Sequence, residues 1–214
     1  MSNRRLVAIT LVIVPVVSPP KPRDEKILSA AAELFRRRGF SAVGVDEIGR
    51  HAGVSGPAIY RHFTGKGDIL AALYDQGLDD LFARTSQTFE DPVAEVRFLV
   101  TQHAGAILAN PKLASIWIRE GRSLSAPDRR RFHRRTDAYL DRWLALIGRC
   151  HPDADSSDVK VFARSTLGAI NSVMDWPSEL RGASGVALLS EGVIRAMAVL
   201  TDSGPELATA QPAA

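Results

Sequence analysis

The sequence predicts an all-α protein, with a short unit of three helices followed by a longer helical region. Three observations carry that reading. From Asp24 onward, apolar residues recur at spacings of three and four, the period of one helix face. Glycine and proline breaks punctuate the pattern at Gly39, Gly53, Gly65-Lys66-Gly67, Asp91-Pro92, Asn110-Pro111, Ser125-Ala126-Pro127, His151-Pro152-Asp153 and Trp176-Pro177. The β-branched alternation of a strand is confined to the run 6–17.

That run lies behind Arg4 and Arg5 and superficially copies a secretory signal, with a charged start and an apolar middle. It is too short to span a bilayer, is broken by Pro15, and ends in Ser18-Pro19-Pro20-Lys21-Pro22 with no small-x-small cleavage site. Residues 1–22 are therefore expected to be a disordered leader or a mis-assigned start. A lone cysteine, Cys150, leaves no internal disulfide framework and suits a reducing cytoplasm.

The first helix is set by Ile27, Ala30, Ala31, Leu34 and Phe35, with Asp24 as its cap, Arg36-Arg37-Arg38 in its last turn and Gly39 as its left-handed stop. Val45, Ile48, Gly49 and Ala52 form one face of a second, short helix that ends at Gly53. Pro57 suits the first position of a third, which runs to about Phe63 with Ile59 and Phe63 inward. A fourth keeps its spacing from Leu70 to Phe82, long enough to bridge two domains. Further helices are expected at 92–109, 111–122, 126–150, 156–176 and 184–201. The tail 203–214 is rich in Gly, Pro and Ala and is expected to be disordered.

The stretch 45–63 has the spacing of a helix-turn-helix, with Ala52-Gly53-Val54 as the turn. Turning Ile59 and Phe63 inward leaves Gly56, Pro57, Ala58, Tyr60, Arg61 and His62 outward. Such a face suits a major groove. Arg61 can pair with guanine, Pro57 and Ala58 can lie against a thymine methyl, and Tyr60 and His62 can reach phosphates. Lys66, opening the fourth helix, is expected on another phosphate. Charge agrees: residues 21–66 hold nine Lys/Arg against five Asp/Glu, and residues 67–214 hold sixteen against nineteen.

The segment RDEKILSAAAELFRRRGFSAVGVDEIGRHAGVSGPAIYRHFTGKGDILAAL resembles the DNA-binding domain of the tetracycline-repressor (TetR) family. Gly39-Phe40, DEIGRHAGVS and AIYRHFTGKGDIL stand in that family's order and spacing. The resemblance implies a DNA-binding domain at 23–66 and an effector-binding and dimerisation domain at 67–202. It implies that Val45 and Asp46 open the helix that touches the DNA backbone, that residues 56–62 form the recognition helix, and that Lys66 contacts phosphate. Two positions depart from the family's habit: Gly44 replaces a capping hydroxyl, and Gly56 replaces a long polar side chain.

A homodimer is expected through the helices 156–176 and 184–201. Ala163, Gly168, Ala169 and Ser172 would allow close approach, beside Val186, Leu189, Val193, Met197 and Leu200. An effector pocket would draw its wall from Phe98, Ile107, Trp117, Tyr139, Trp143 and Trp176, although each of them alone reads more readily as plain core. Segment 119–149 carries nine Arg against four acids. These arginines are either a solvated, ion-paired face or, on a sharper reading, the partners of phosphates on an anionic effector such as an acyl-CoA.

No enzyme motif, metal-ligand spacing or cofactor signature stands out. The leading expectation is thus a cytoplasmic regulator, a repressor by preference, that binds double-stranded operator DNA as a homodimer, answers to a hydrophobic or amphiphilic effector and has no membrane partner. A DNA-binding protein without an effector and a small helical enzyme are the competing classes.

Overall fold

The computed structural model describes residues 22–201, so the tail 203–214 and all of the expected leader except Pro22, which opens the first helix, lie outside the described residues. Every element among the described residues is helical. Helix α1 (Pro22–Arg38) closes at Gly39, whose φ of 76° is left-handed. It begins two residues before the expected Asp24 cap, and the Asp24 carboxylate instead lies against His62 at the end of the helix-turn-helix. Helix α2 (Val45–Ala52) follows, then α3 (Gly56–Ile59). Helix α4 (Lys66–Arg84) has 19 residues and so spans about 28 Å.

Two cores organise the chain. The first gathers Ile27, Ala31 and Phe35 of α1 with Ile48, Ile59, Phe63 and the Ile69–Tyr74 half of α4. It also takes in Leu113 and Ile116 of α6 (Pro111–Glu120) and Leu124. The second core gathers Leu81 of α4 with α5 (Pro92–Ala109), α7 (Ala126–Cys150), α8 (Ser156–Asn171) and α9 (Ala183–Ala196), around the fully buried Trp143. Helix α4 therefore has one end in each core.

Helix starts beyond α4 follow the predicted breaks because the capping chemistry is local. Asp91, Asn110, Ser125 and Asp155 each accept a backbone N–H in the first turn of α5, α6, α7 and α8, from Val93, Leu113, Asp128 and Ser157. Ends are shorter than periodicity suggested. Helix α6 stops at Glu120 before a tight turn at 121–123, α8 stops at Asn171 before another at 172–175, and α9 passes into one at 197–200.

Glu95 of α5 is the most deeply buried carboxylate among the described residues, at 3% exposure. Arg142 and Arg149 of α7 each reach it at 3.1 Å, and the Phe89 amide donates to it at 3.3 Å. A buried charge needs such partners, and this cluster fixes the α4–α5 connection onto α7.

The expected dimer face is corrected in part. Ala163, Val186, Val193 and Met197 pack into their own chain's second core. The apolar groups that α8 and α9 leave outward are Val161 and Leu188, 66% and 74% exposed, with Val199 just beyond. The stretch Ala183–Leu200 is long and apolar enough to cross a membrane, yet its edge carries Glu191, paired with Arg97 and Arg195 at 3.0 and 2.9 Å.

Candidate nucleic-acid interface and effector cavity

Close backbone approach builds the helix-turn-helix. Gly53 sits at φ 68° and gives its N–H to the end of α2, while the Val54 amide donates to Gly49 O at 2.9 Å. A Cβ on Gly49 would meet Val54 O at 2.9 Å and Ile59 Cδ1 at 3.3 Å, so only glycine admits α3 this close. Ile59 and Phe63 are buried as their spacing predicted. The helix itself, however, ends at Ile59. Residues 60–62 form a turn in which the His62 and Phe63 amides both donate to Ile59 O, at 2.8 and 2.9 Å.

This shorter geometry re-sorts the predicted contact residues. Pro57, Tyr60 and Arg61 are exposed, Tyr60 at 58%, and Arg61 makes no hydrogen bond or ion pair among the described residues. Asp46 is exposed beside them, and Val45 and Gly56 are half-buried. Gly56 is constrained by its neighbour, since a Cβ there would lie 2.9 Å from Asp46 Oδ1. Ala58, expected outward, is 3% exposed and faces the core.

Two basic residues are committed within the chain. His62 Nδ1 lies 2.7 Å from Asp24 Oδ1, which ties the turn to the start of α1. Lys66, expected free for a phosphate, spends its ammonium on the α1–α2 connection. Its Nζ donates to the carbonyls of Phe40, Ser41 and Val43 at 3.0, 3.2 and 3.0 Å and stands 4.5 Å above the Phe40 ring. Three N–H donors meet three acceptors, a full complement for an ammonium.

Deeper in the chain, an inner cavity of about 270 Å³ lies among α4, α5, α6, α7 and α8. Leu81, His103, Ile107, Trp117, Phe132 and Tyr139 are among its wall residues. A second space of about 300 Å³ shares Leu81, His103, Ile107 and Trp117 and opens past Gln76, Asp80 and Arg84. Three of the six predicted wall residues, Ile107, Trp117 and Tyr139, are therefore in place. The other three are corrected. Phe98 packs on Phe89, ring centres 5.1 Å apart, Trp143 is sealed in the second core, and Trp176 lies on the outer loop with its Nε1 donating to Ser172 Oγ at 3.2 Å.

Sequence reasoning missed His103, Thr136 and Asn171, the polar groups of the inner cavity. His103 had one signal: it stands one turn before Ile107 on the helix face otherwise formed by Val96, Leu99, Val100 and Ala104. Burial lowers its imidazole from the ordinary 6.5 to about 4, opposed by hydrogen bonding to Asn171, so the ring is neutral at neutral pH. Its Nδ1 is 3.4 Å from the Tyr139 hydroxyl, which burial pushes up to about 12.

The arginines of α7 face elsewhere. Arg131 reaches Asp75 at 2.6 Å, Arg135 reaches Asp75 at 3.0 Å and also pairs with Asp79, and Arg129 donates to Leu124 O at 3.3 Å. Their inward members thus bind α7 to α4 as an ion-paired face.

A family model described as bacterial regulatory proteins, tetR family, matches residues 27–73, and one described as tetracyclin repressor-like, C-terminal domain, matches residues 90–180. The chain belongs to the tetR family. FasR of Mycolicibacterium smegmatis, described as an HTH-type transcriptional activator, is 42% identical over 69 residues, covering 31% of this chain and 32% of FasR. KstR2 of Rhodococcus jostii, described as an HTH-type transcriptional repressor, is 32% identical over 110 residues, covering 50% of this chain and 54% of KstR2. The chain thus matches from a third to about half the length of these tetR-family relatives. Among solved structures, AibR in complex with isovaleryl coenzyme A and operator DNA superposes with a TM-score of 0.68 at 21% identity, over 80% of this chain and 96% of AibR. That likeness shows the shared fold.

Proposed function

We propose that this tetR-family chain is a cytoplasmic transcription regulator, and not an enzyme, that binds double-stranded operator DNA as a homodimer and answers to an amphiphilic effector. The observation that carries the DNA reading is the face of residues 57–61. Pro57, Tyr60 and Arg61 project from a helix-turn-helix whose other side is locked into the first core, and Arg61 is left free to pair with a base. Two such faces would meet half-sites about 34–36 Å apart.

The outward apolar groups Val161 of α8 and Leu188 of α9, 66% and 74% exposed, support the homodimer, because a symmetric partner would cover them. The two neighbouring cavities favour an effector-responsive regulator over a DNA-binding protein with a filled core. AibR binds isovaleryl coenzyme A, and the mainly apolar cavity of this chain is consistent with an acyl-CoA or a related amphiphile.

Relatives of both signs occur, an activator and a repressor, and we propose repression for this chain. Recovery of genomic fragments by the purified chain, followed by binding to the recovered sequence, tests the function. A protein that stays monomeric and selects no sequence at moderate salt overturns it.

A further inference from the structure

We propose that the groove between α6 and the loop 174–181 seats a phosphate-bearing headgroup whose apolar tail enters the inner cavity; this rests on the effector reading above. The inner cavity is lined by uncharged side chains, and its one titratable base, His103, is held neutral by burial. A charge carried inside would lose its hydration without gaining a counter-charge, so it must stay at a mouth.

The groove, about 420 Å³, adjoins the cavity, and Met174 lines both. On α6 the two spaces take adjacent positions. Ala114 and Ile118 face the cavity, and their neighbours Ser115 and Arg119 face the groove. Arg36, Lys112, Arg119 and Arg181 line the groove against a single acid in its wall, Asp175.

Glu33 occupies Arg36 and Lys112, at 2.9 and 2.8 Å, and still leaves the cluster net positive. Arg181 is held by donation to the carbonyls of Trp176 and Met174 at 2.7 and 2.9 Å, which leaves one terminal nitrogen without a partner among the described residues. Arg119 is exposed and has no hydrogen bond or ion pair among the described residues. A pre-set guanidinium beside an uncommitted one suits the several oxygens of a phosphate.

The basic groups at the other opening and on the inward side of α7 are paired, and the exposed Arg130 and Arg134 of α7 line neither space. At the other opening Arg84 closes on Asp80 at 2.8 Å, and Arg131 and Arg135 of α7 are paired with α4. Unspent positive charge meets the cavity at the α6 rim.

The test uses the full chain, tryptophan fluorescence as the readout, and three probes with one tail: decanoyl-CoA, decyl phosphate and decanoate. Wild type should bind the phosphate-bearing probes about tenfold more tightly than decanoate. Arg119→Gln should erase that preference while leaving decanoate within about twofold. The double variant Arg130→Glu/Arg134→Glu on α7 should change none of the three. Preference for only one phosphate probe supports the subsite and names its source.

Equal binding of all three by wild type, unaltered in Arg119→Gln, overturns the headgroup subsite and leaves the effector reading standing. Loss of preference in the α7 variant instead overturns the placement. If no probe binds, the amphiphilic effector reading falls and the subsite falls with it.

Discussion

Glu120, the last residue of α6, accepts the backbone N–H of Phe40 at 3.0 Å, joining a helix of the C-terminal region to the turn that leads into α2. Its second oxygen accepts from Ser123 Oγ at 2.9 Å. Trp117, one turn earlier on α6, lines both cavities, and its carbonyl accepts from Tyr74 of α4 at 2.9 Å. Movement of the cavity wall can therefore reach the DNA-binding helices through α6 as well as through α4.

Glu120→Ala should orphan the Phe40 amide and cost about 1–3 kcal/mol of stability, read by chemical denaturation. Glu120→Gln, which keeps an acceptor, should recover most of it. The same alanine variant should blunt the effect of ligand on DNA affinity while ligand affinity itself changes little. A variant that unfolds at the wild-type denaturant midpoint would show that the contact carries no stability.

Lys66→Met should lower thermal stability, because three carbonyls lose their shared donor. The salt dependence of DNA binding should keep its slope. An unchanged melting temperature with a slope reduced by about one ion would instead return Lys66 to the phosphates.

Arg61→Ala should cost about 1–3 kcal/mol at one base pair and relax selectivity there. Binding to the selected operator and to single-base variants measures it. Uniform loss across all variants would make Arg61 a backbone contact.

Gly49→Ala places a methyl 2.9 Å from Val54 O, a backbone atom that cannot rotate away. The expected cost is about 1–3 kcal/mol, with DNA binding weakened because the turn opens. Denaturation and operator titration of the variant would check both.

His103 makes stability pH-dependent. Its folded value, about 4, lies below the ordinary 6.5, so its contribution is complete above 6.5 and is lost as pH falls toward 4. The gap corresponds to about 3 kcal/mol in that window. Denaturation midpoints at pH 7 and 4.5 should differ less in His103→Gln than in wild type.

The α-helical architecture was legible where chemistry is local. Proline at the first turn with Asp, Asn or Ser before it placed the starts of α5, α6 and α7, and Gly39 and Gly53 placed two stops. The fates of Lys66 and of the aromatic residues were not legible, because each depends on a distant segment. Lys66 meets carbonyls more than twenty residues earlier in the chain. Trp117 and Trp143 sit on similarly amphipathic helices, yet only the packing of α4 against α6 leaves a void beside the first. The length of α3 failed for a related reason. Ile59 and Phe63 are one helical turn apart in sequence, but a turn ending at Phe63 buries both without continuing the helix.

Leu113, Ile116 and Leu124 complete the core beneath the DNA-binding helices. Residues 23–66 cut out alone would therefore expose an unfinished apolar underside and resist use as a portable module. Chimaeras that exchange operator preference between relatives will need to bring the matching stretch of α6 along with the DNA-binding helices.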